Sequence, residues 1–330
     1  MAQNAAHVRD GLIIGKFMPP HAGHQYLIDY ARARVEHLTI IIFTKSHEPI
    51  PGHLRVEWLR EIAADADMLH VTDEYAVDFN RADAWEFWTR SIRQVYPAGP
   101  DLLFSSEDYG DELARRLSAC HVLVDPERKQ VPISSTRVRE RPFECWEFIS
   151  PSVRAYYAKR ICILGAESTG KTTLAAALAK HYNTVWVPEY AREYLESSNR
   201  PCELSDMVPI AEGQVRSEDW LARQANRVLI CDTNLLATML WSEHYWGFMP
   251  ERIRQLADAR HYDLYLIADL GVPWIADGLR DSPNYREWFH ARYVSELEKR
   301  GQAYVILSGT FEERMQGACH AIDRSLREPA

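Results

Sequence analysis

The sequence predicts an α/β protein made of two parallel-sheet domains in series. Short β-branched runs alternate with longer amphipathic stretches, which is the pattern of strands joined by crossover helices. The chain has 330 residues, which is long for one domain and enough for two domains that each bury a core. A tract containing Pro142, Trp146 and Pro151 interrupts the alternation before a new strand–loop–helix unit begins at Arg160. We therefore predict a flexible tail over residues 1–10, a first domain over 11–157 and a second domain over 158–330.

The strands follow from the apolar runs. In the first domain they are predicted at 11–15, 38–43, 101–104 and 121–124, and a helix after the first strand carries Leu27, Tyr30, Ala31 and Val35 at helical spacing. In the second domain we predict strands at 160–164, 185–187, 228–232, 264–268 and 303–307, with helices between them and a closing helix over 311–326.

The composition is that of a globular protein without a membrane-spanning segment. Hydrophobic residues make up 46% of the chain and charged residues 26%, and the apolar run 38–43 is only as long as a strand. The first ten residues lack the basic start and apolar core of a signal peptide, which predicts a cytoplasmic protein. Six scattered cysteines without a CxxC pair indicate reduced thiols, with Cys162 and Cys231 inside core strands.

The net charge of −9 disfavours nucleic acid as a partner, because nucleic-acid surfaces need clustered lysine and arginine. An acidic protein still binds polyphosphates where a loop supplies local donors. The charge therefore directs the search for a site to individual loops.

A phosphate-binding loop opens the second domain. The segment GAESTGKT, from Gly165 to Thr172, matches G-x-x-x-x-G-K-[ST] in full and lies between an apolar strand and a helix. In this position main-chain N–H groups and the helix N-terminus surround a phosphate. Lys171 would reach the β- and γ-phosphates and Thr172 would bind Mg²⁺. The predicted phosphate-binding residues of the loop are Gly165, Glu167, Ser168, Thr169, Gly170, Lys171, Thr172 and Thr173.

Asp232 ends the apolar run VLICD at 228–232. Taken alone, an acid at a strand end is more commonly a helix cap or a turn residue. Its place after a phosphate-binding loop predicts instead a second Mg²⁺ ligand.

Two further segments of the second domain suit a substrate site. Glu189, Tyr190 and Arg192 follow the strand at 185–187, and ligands bind beyond such strand ends in open α/β sheets. Acids there suit a proton acceptor or ribose hydroxyls, although a solvated helix start explains each residue equally well. The polar loop 277–286 carries Arg280 and Arg286, and it matches either a mobile lid over the phosphates or an ordinary surface loop.

The first domain carries a second candidate phosphate site. His21 and His24, with Gly23 between them, stand where the first strand meets a helix, so both imidazoles can donate to phosphate oxygens. More than a hundred residues later, Ser135 and Thr136 suit an N-cap, and Arg139 lies within the helix that they begin. Together, the two elements predict attack at an α-phosphate.

These two motifs, H-x-G-H and I-S-x-T-x-x-R, resemble those of the nucleotidyltransferase superfamily with its Rossmann-like fold. With a P-loop kinase fold behind them, the whole chain from Gly11 to the closing helix resembles the bifunctional NadR family. Further segments that carry the resemblance are GKF at 15–17, SEDYG at 106–110, WEFI at 146–149, EYARE at 189–193 and GLR at 278–280.

The resemblance implies two reactions. The first domain would transfer AMP from ATP to nicotinamide mononucleotide, which gives NAD and pyrophosphate, and the second would phosphorylate nicotinamide riboside with Mg-ATP. Lys16, His21, His24 and Arg139 would handle phosphates in the first domain, beside Gly15 and Phe17. Lys171, Thr172 and Asp232 would do so in the second, with Glu189 as the base or a riboside ligand.

Trp85 and Trp88 would stack on a nicotinamide ring. Because they lie one turn apart on a predicted helix, at least one of them is expected in the core instead.

Three alternatives differ from this interpretation. Some members of the family carry an N-terminal helix-turn-helix and act as repressors, but about ten residues precede the first predicted strand here, so DNA binding is not expected. A coenzyme-A-type synthase also joins an adenylyltransferase to a P-loop kinase. A regulator that binds NAD and ATP without turnover would not need both catalytic sets. A homo-oligomer is compatible with the sequence, which does not distinguish nicotinamide from nicotinic acid substrates.

Overall fold

The computed structural model describes residues 10–74, 83–198, 200–271 and 285–327. The chain divides into two compact units, the first ending at Val153 and the second beginning at Arg154. Within the described residues, each unit contains one five-stranded sheet whose paired strands are all parallel. The predicted fold class, two parallel-sheet α/β domains, is confirmed.

The first unit alternates strands and helices along the chain. Its sheet has the order β3-β2-β1-β4-β5, so the order reverses at β1 and a crevice opens beyond the carboxyl ends of β1 and β4. The elements are β1 (Asp10–Gly15), α1 (Ala22–Arg32), β2 (His37–Thr44), α2 (Gly52–Ile62), β3 (Asp67–Thr72), α3 (Ala84–Val95), β4 (Leu102–Ser105), α4 (Gly110–Leu117), β5 (Cys120–Leu123) and α5 (Ser135–Glu140). Helix α6 (Pro151–Tyr157) contains the boundary between the two units.

The central strands of this sheet are buried on both faces. Ile13 packs with Ile40 and Phe104 on one face, while Leu12 packs with Ile41 on the other. Because helices cover both faces, the strands appear in the sequence as continuous apolar runs rather than as alternating ones. This is why runs such as 38–43 were recognisable.

The second unit has the strand order β10-β9-β6-β8-β7, and the phosphate-binding loop follows its central strand β6. Its elements are β6 (Lys159–Leu164), α7 (Lys171–His181), β7 (Trp186–Val187), α8 (Tyr190–Ser198), α9 (Met207–Ala222), β8 (Val228–Asp232), α10 (Leu235–Trp246), α11 (Glu251–Asp258), β9 (Leu264–Ala268), α12 (Arg286–Lys299), β10 (Tyr304–Leu307) and α13 (Phe311–Arg327).

The described strands agree with the predicted ones to within about one residue at most ends, with one omission. Strand β3, with the sequence DMLHVT, was not predicted. It pairs only with β2 within the described residues, and its side chains are partly or fully exposed, so it lacks the apolar run that marked the other strands.

Cys162 and Cys231 are fully buried neighbours on β6 and β8, and all six cysteines are free thiols. No helix in the described part of the chain is long and apolar enough to cross a bilayer.

Candidate functional site

The first unit contains a cavity of about 690 Å³ at the crevice where its strand order reverses. Its wall is built from six chain segments: the end of β1 with the start of α1, the end of β2 with the turn after it, Asp73 after β3, Trp88 on α3, the end of β4 with the turn after it, and the turn before α5. The sequence-predicted residues that line it are Gly15, Lys16, Phe17, His21, Gly23, His24, Trp88, Ser135 and Thr136. Folding therefore brings the two predicted motifs of this domain to one cavity.

His21 and His24 are locked to each other at the start of α1. His21 is the N-cap, and its Nδ1 accepts the Gly23 N–H at 3.1 Å, while Nδ1 of His24 accepts the His21 N–H at 3.2 Å. The two rings stack with centroids 3.9 Å apart. Because each Nδ1 accepts a main-chain N–H, the proton of each neutral ring is on Nε2.

Both rings are neutral at pH 7. Burial, assisted by the charge of Arg128, lowers the pKa of His21 to about 4. Burial also lowers the pKa of His24 well below its ordinary value, with further contributions from His21 and Arg128. The pair therefore presents two Nε2–H donors to the cavity, which suits phosphate oxygens that accumulate charge during a transfer reaction.

Phe17 packs against the histidine pair within the core. Its side chain is 2% exposed and its ring packs against His24, with centroids 4.8 Å apart. A Cβ at Gly15 would lie 3.0 Å from the Phe17 ring, so glycine leaves room for this packing.

Lys16 is held by a buried ion pair that the sequence did not suggest. The fully buried Arg55 donates to the Lys16 carbonyl at 3.0 Å and to Glu48 Oε2 at 2.7 Å, and Glu48 Oε1 lies 3.2 Å from Lys16 Nζ. Burial would raise the pKa of Glu48, but hydrogen bonds from Arg55, Lys45 and Lys16 lower it below its ordinary value. Both the backbone and the side chain of Lys16 are thus positioned.

The helix that carries the second motif begins one residue earlier than predicted. Ser134, rather than Ser135 or Thr136, is the N-cap of α5, and its side chain accepts the Arg137 N–H at 3.2 Å. Ser135 instead donates to the Pro19 carbonyl at 3.0 Å. The predicted N-caps were wrong because serines at adjacent positions have equal cap propensity, and only tertiary contacts assign one of them elsewhere.

Arg139 ties the two motifs together. It donates to the Met18 carbonyl and, at 3.2 Å, to the Thr136 hydroxyl. The cavity wall beside it is made by Ser134, Ser135 and Thr136. The contacts of Arg139 are those of a residue that fixes the loop between β1 and α1 against α5.

The two tryptophans on α3 have different surroundings. Trp88 is 6% exposed, lines the cavity and makes an edge contact with Tyr109, with ring centroids 5.2 Å apart. Trp85 packs against the same apolar cluster, and the Arg116 guanidinium lies 5.4 Å from its ring.

In the second unit, the predicted loop has the conformation that its glycines allow. Gly170 has φ +81° and is the N-cap of α7, and a Cβ at Gly165 would lie 2.9 Å from the Ala268 carbonyl oxygen. Lys171 Nζ donates to the Ala166 carbonyl at 3.0 Å, and Thr169 donates to the same oxygen at 2.8 Å. Hydrogen bonds from two of the loop's own side chains to one carbonyl thus hold its conformation.

Thr172 and Asp232, the two residues predicted to bind Mg²⁺, are in contact with each other. The Thr172 hydroxyl donates to Asp232 Oδ2 at 2.5 Å, whereas Oδ1 of the same buried carboxylate lacks a hydrogen-bond partner among the described residues. Burial raises the pKa of Asp232, and the charge of Lys171, the Thr172 hydrogen bond and the charge of Arg192 oppose that rise. A hydroxyl beside an unsatisfied carboxylate oxygen is a donor set that Mg²⁺ prefers.

The EYARE segment begins α8 beside this pair. The Tyr190 N–H donates to Gln214 Oε1 at 3.0 Å, and a Cβ at Gly213 would lie 1.9 Å from the Tyr190 ring. Tyr190 is therefore docked on α9. The negative charges of Glu189 and Glu167 both act on the buried Tyr293 hydroxyl, whose pKa is raised mainly by burial. Glu189 and the phosphate-binding loop thus share one neighbourhood.

An aromatic pocket beside this loop was missed by sequence analysis. Trp241 stacks on Tyr245 with centroids 5.3 Å apart and packs against Phe289 at 4.2 Å. The pocket is lined by Ala166, Glu167, Trp241, Tyr245, Tyr285, Arg286 and Phe289. Its rings come from α10 and α12, about 45 residues apart, and each looks like an ordinary core residue of its helix.

Of the two arginines predicted as a lid, the structure describes only Arg286. Arg286 lines the aromatic pocket and donates to the Leu270 carbonyl at 3.3 Å. Arg280 lies outside the described residues. A third arginine, Arg314 on α13, is buried and donates to the Thr169 carbonyl at 2.8 Å, so the last described helix supports the phosphate-binding loop.

Two family models match the chain, one over each unit. Residues 12–141 match a family described as Cytidylyltransferase-like, and residues 160–314 match one described as AAA domain.

Two curated relatives are similar over most of the chain. The trifunctional NAD biosynthesis/regulator protein NadR of Escherichia coli strain K12 is 32% identical over 321 residues, which is 89% of this chain and 78% of that protein. The protein of the same description from Salmonella typhimurium strain LT2 is 31% identical, with the same coverage.

Solved structures share the fold of the chain. A structure of NadR in complex with NR has a TM-score of 0.81 at 22% identity and covers 97% of this chain and 96% of its own. A structure of NadR with NAD and AMP-PNP has a TM-score of 0.79 at 22% identity and covers 98% and 97%.

Proposed function

The chain belongs to the NadR family, and from this premise we propose that it is a bifunctional enzyme of NAD synthesis. The first domain transfers AMP from ATP to nicotinamide mononucleotide, releasing pyrophosphate and forming NAD. The second domain phosphorylates nicotinamide riboside with Mg-ATP and so makes the nucleotide that the first domain consumes. The observation that supports this proposal is the pair of candidate phosphate sites, one in each unit at the carboxyl ends of its strands.

In the first domain, the reaction joins a phosphate oxygen of the mononucleotide to the α-phosphorus of ATP. Negative charge grows on the oxygens of the α-phosphate and of the departing pyrophosphate. The Nε2–H groups of His21 and His24 are neutral donors fixed in place before the substrate arrives, so they need no reorganisation when that charge develops. Lys16 adds a positive charge that Glu48 and Arg55 hold at the cavity wall.

The nicotinamide ring of the mononucleotide has a candidate partner in Trp88. This side chain lines the same cavity as the histidine pair. Trp85 instead packs against Arg116 and so joins α3 to α4.

In the second domain, Thr172 and Asp232 are the residues that would hold Mg²⁺, through the hydroxyl and the unsatisfied Oδ1. The ion, when bound, neutralises charge on the β- and γ-phosphates. Lys171 leaves the Ala166 carbonyl for a phosphate oxygen. Glu189 accepts the proton of the attacking riboside hydroxyl.

The aromatic side chains around this pocket are candidate contacts for the other end of the riboside, and they must move apart to admit it, because the pocket of about 10 Å³ holds no more than one water. The nicotinamide ring of the riboside is a cationic pyridinium, and aromatic faces attract cations. Trp241, Tyr245 and Phe289 present such faces beside Glu167, whose carboxylate adds a favourable charge.

The free thiols of all six cysteines agree with a cytoplasmic protein.

The test follows both products of the purified protein. With ATP and Mg²⁺, nicotinamide mononucleotide should yield NAD, and nicotinamide riboside should yield first the mononucleotide and then NAD. Lys171→Ala should abolish riboside phosphorylation and leave adenylyl transfer nearly intact. Lys180→Ala, an exposed lysine on the same helix, is the matched control and should change neither rate.

Three outcomes would contradict the proposal. Formation of dephospho-coenzyme A from phosphopantetheine, without NAD, would make the protein a coenzyme-A-type synthase. Tight binding of NAD and ATP without turnover would make it a regulator. Loss of both activities in a folded Lys171→Ala variant would show that the two sites do not work independently.

A further inference from the structure

The turn between β5 and α5 carries a cation that the proposed mechanism has not used. The Asp125 carboxylate accepts the N–H groups of Lys129 at 2.8 Å and Gln130 at 3.0 Å, and the Asp125 carbonyl accepts the Arg128 N–H at 2.9 Å. Asp125 and Arg128 both have left-handed backbones, with φ of 46° and 51°. Such conformations are uncommon outside glycine and concentrate at functional sites. The turn is thus fixed, and it places Arg128 in the cavity wall.

Arg128 shares its cavity with the histidine pair. Its positive charge contributes to lowering the pKa of both His21 and His24, after the larger effect of burial. Glu107, at the end of β4, accepts a hydrogen bond from Arg128 at 3.1 Å and lines the same cavity. The guanidinium therefore lies near the donors that would meet the reacting phosphates.

Two other cations line this cavity, Lys16 and Lys45, and Lys16 shares the Glu48 carboxylate with Arg55. His21 and His24 are neutral, and the Lys16 ammonium is paired with the buried Glu48. Arg139 is engaged with the Met18 carbonyl and the Thr136 hydroxyl. Both substrates of adenylyl transfer are anions, so a site for them needs a cation that can change partners.

The partner of Arg128 is one that it can leave. The Arg128 and Glu107 side chains are 45% and 55% exposed, and ion pairs between such exposed groups contribute little to stability. Exchange of the Glu107 carboxylate for a phosphate oxygen keeps one charge-assisted hydrogen bond and adds a second, because guanidinium binds phosphate in a bidentate way.

We propose that Arg128 binds the polyphosphate chain of ATP in the first domain, leaving Glu107 when the nucleotide enters. This inference rests on the proposed adenylyl transfer and names a further group that touches its substrate. The bound guanidinium lies beside the histidine donors and stabilises the charge of the departing pyrophosphate.

The experiment measures initial rates of NAD formation with ATP varied, and of the reverse reaction with pyrophosphate varied. Arg128→Ala should lower kcat/KM for ATP by roughly 10- to 100-fold and should raise KM for pyrophosphate. Arg128→Lys should recover part of the loss, because it restores the charge without the fork of donors. Lys129→Ala, the adjacent exposed cation that pairs with Glu127, is the matched control and should stay within about twofold of wild type. Riboside phosphorylation should be unchanged in all three variants, and a urea unfolding transition of the first domain that matches the wild type shows that this domain is folded.

The outcomes separate this inference from the function on which it rests. If the wild type forms NAD and Arg128→Ala keeps its kcat/KM for ATP within about twofold, the inference is wrong and the proposed function stands. A defect confined to KM for nicotinamide mononucleotide would also overturn it, since Arg128 would then serve the other substrate. A wild type that forms no NAD would overturn both.

Discussion

The imidazole rings of His21 and His24 stack 3.9 Å apart, and each accepts a main-chain N–H at Nδ1. The start of helix α1 and the donors of the candidate site are therefore the same two side chains. Loss of either imidazole therefore removes a donor of the site together with a hydrogen bond at the start of α1, unless the new side chain can itself cap the helix.

The pH dependence of stability tests the burial of His21. Its pKa is about 4 in the folded protein against 6.5 in the unfolded chain, so its contribution is fully present above pH 6.5 and is lost as the pH falls toward 4. The shift corresponds to about 3 kcal/mol over that window. His21→Asn keeps an N-cap residue but removes the titration.

Urea unfolding between pH 7 and pH 4 should show a shallower loss of stability in His21→Asn than in wild type, with His24 supplying the remaining slope. His47→Asn, whose side chain is 71% exposed, should unfold like the wild type. Parallel pH profiles for all three proteins would show that folding does not lower the pKa of His21.

Glu48→Gln should destabilise the first domain and weaken its use of ATP. The substitution leaves Arg55 buried without a counter-charge, which costs roughly 3 kcal/mol, and it releases the Lys16 ammonium. Urea denaturation and the KM for ATP measure the two effects. Glu57→Gln, an exposed acid on the helix that carries Arg55, should change neither, and an unaltered Glu48→Gln protein would contradict the positioning of Lys16.

Asp232→Asn should stabilise the second domain while it removes kinase activity. Burial raises the pKa of Asp232, so the native state disfavours its charge relative to the unfolded chain, and the neutral amide removes this penalty. The loss of a ligand for Mg²⁺ should lower riboside phosphorylation by roughly 100-fold or more.

Asp269→Asn is the comparison for that variant, because Asp269 also follows a core strand. Hydrogen bonds from Ser308 and the Leu270 N–H lower the pKa of Asp269, so its neutralisation should destabilise the domain. If Asp232→Asn and Asp269→Asn changed the free energy of unfolding in the same direction, the environments assigned to the two carboxylates would be wrong.

Gly213→Ala should impair the riboside site at a distance. A Cβ at Gly213 would lie 1.9 Å from the Tyr190 ring, so the residue that follows Glu189 must move. We expect KM for nicotinamide riboside to rise about tenfold, and the same change to have little effect in a Tyr190→Ala background. Additive effects in the double variant would show that the two residues do not act through each other.

The sequence allowed the central strands and the phosphate motifs to be predicted because both are local. The strands are continuous apolar runs, and the residues from Gly165 to Thr172 act as one contiguous loop. Strand β3 was missed because its apolar residues are interrupted by His70 and are only partly buried, and the cap at Ser134 was misplaced by one residue because Ser135 is bound to Pro19.

The supporting residues could not be predicted for a different reason. Arg55, Glu48 and Arg128 look like solvated charges in the sequence, and their partners are brought to them only by folding. The same holds for Trp241 and Phe289, which lie on separate helices. A residue whose task depends on a contact across the fold leaves no periodic pattern along the chain.

The hydrogen bond from Arg314 to the Thr169 carbonyl joins helix α13 to the loop that begins the same domain. The binding of a nucleotide and the local opening of this helix are therefore thermodynamically linked. A ligand that stabilises the closed loop also protects the helix from fraying. By reciprocity, fraying of the helix lowers the affinity for the ligand by the same factor. Nucleotide bound at the kinase site therefore lowers the fraying of α13, the last helix of the described sequence.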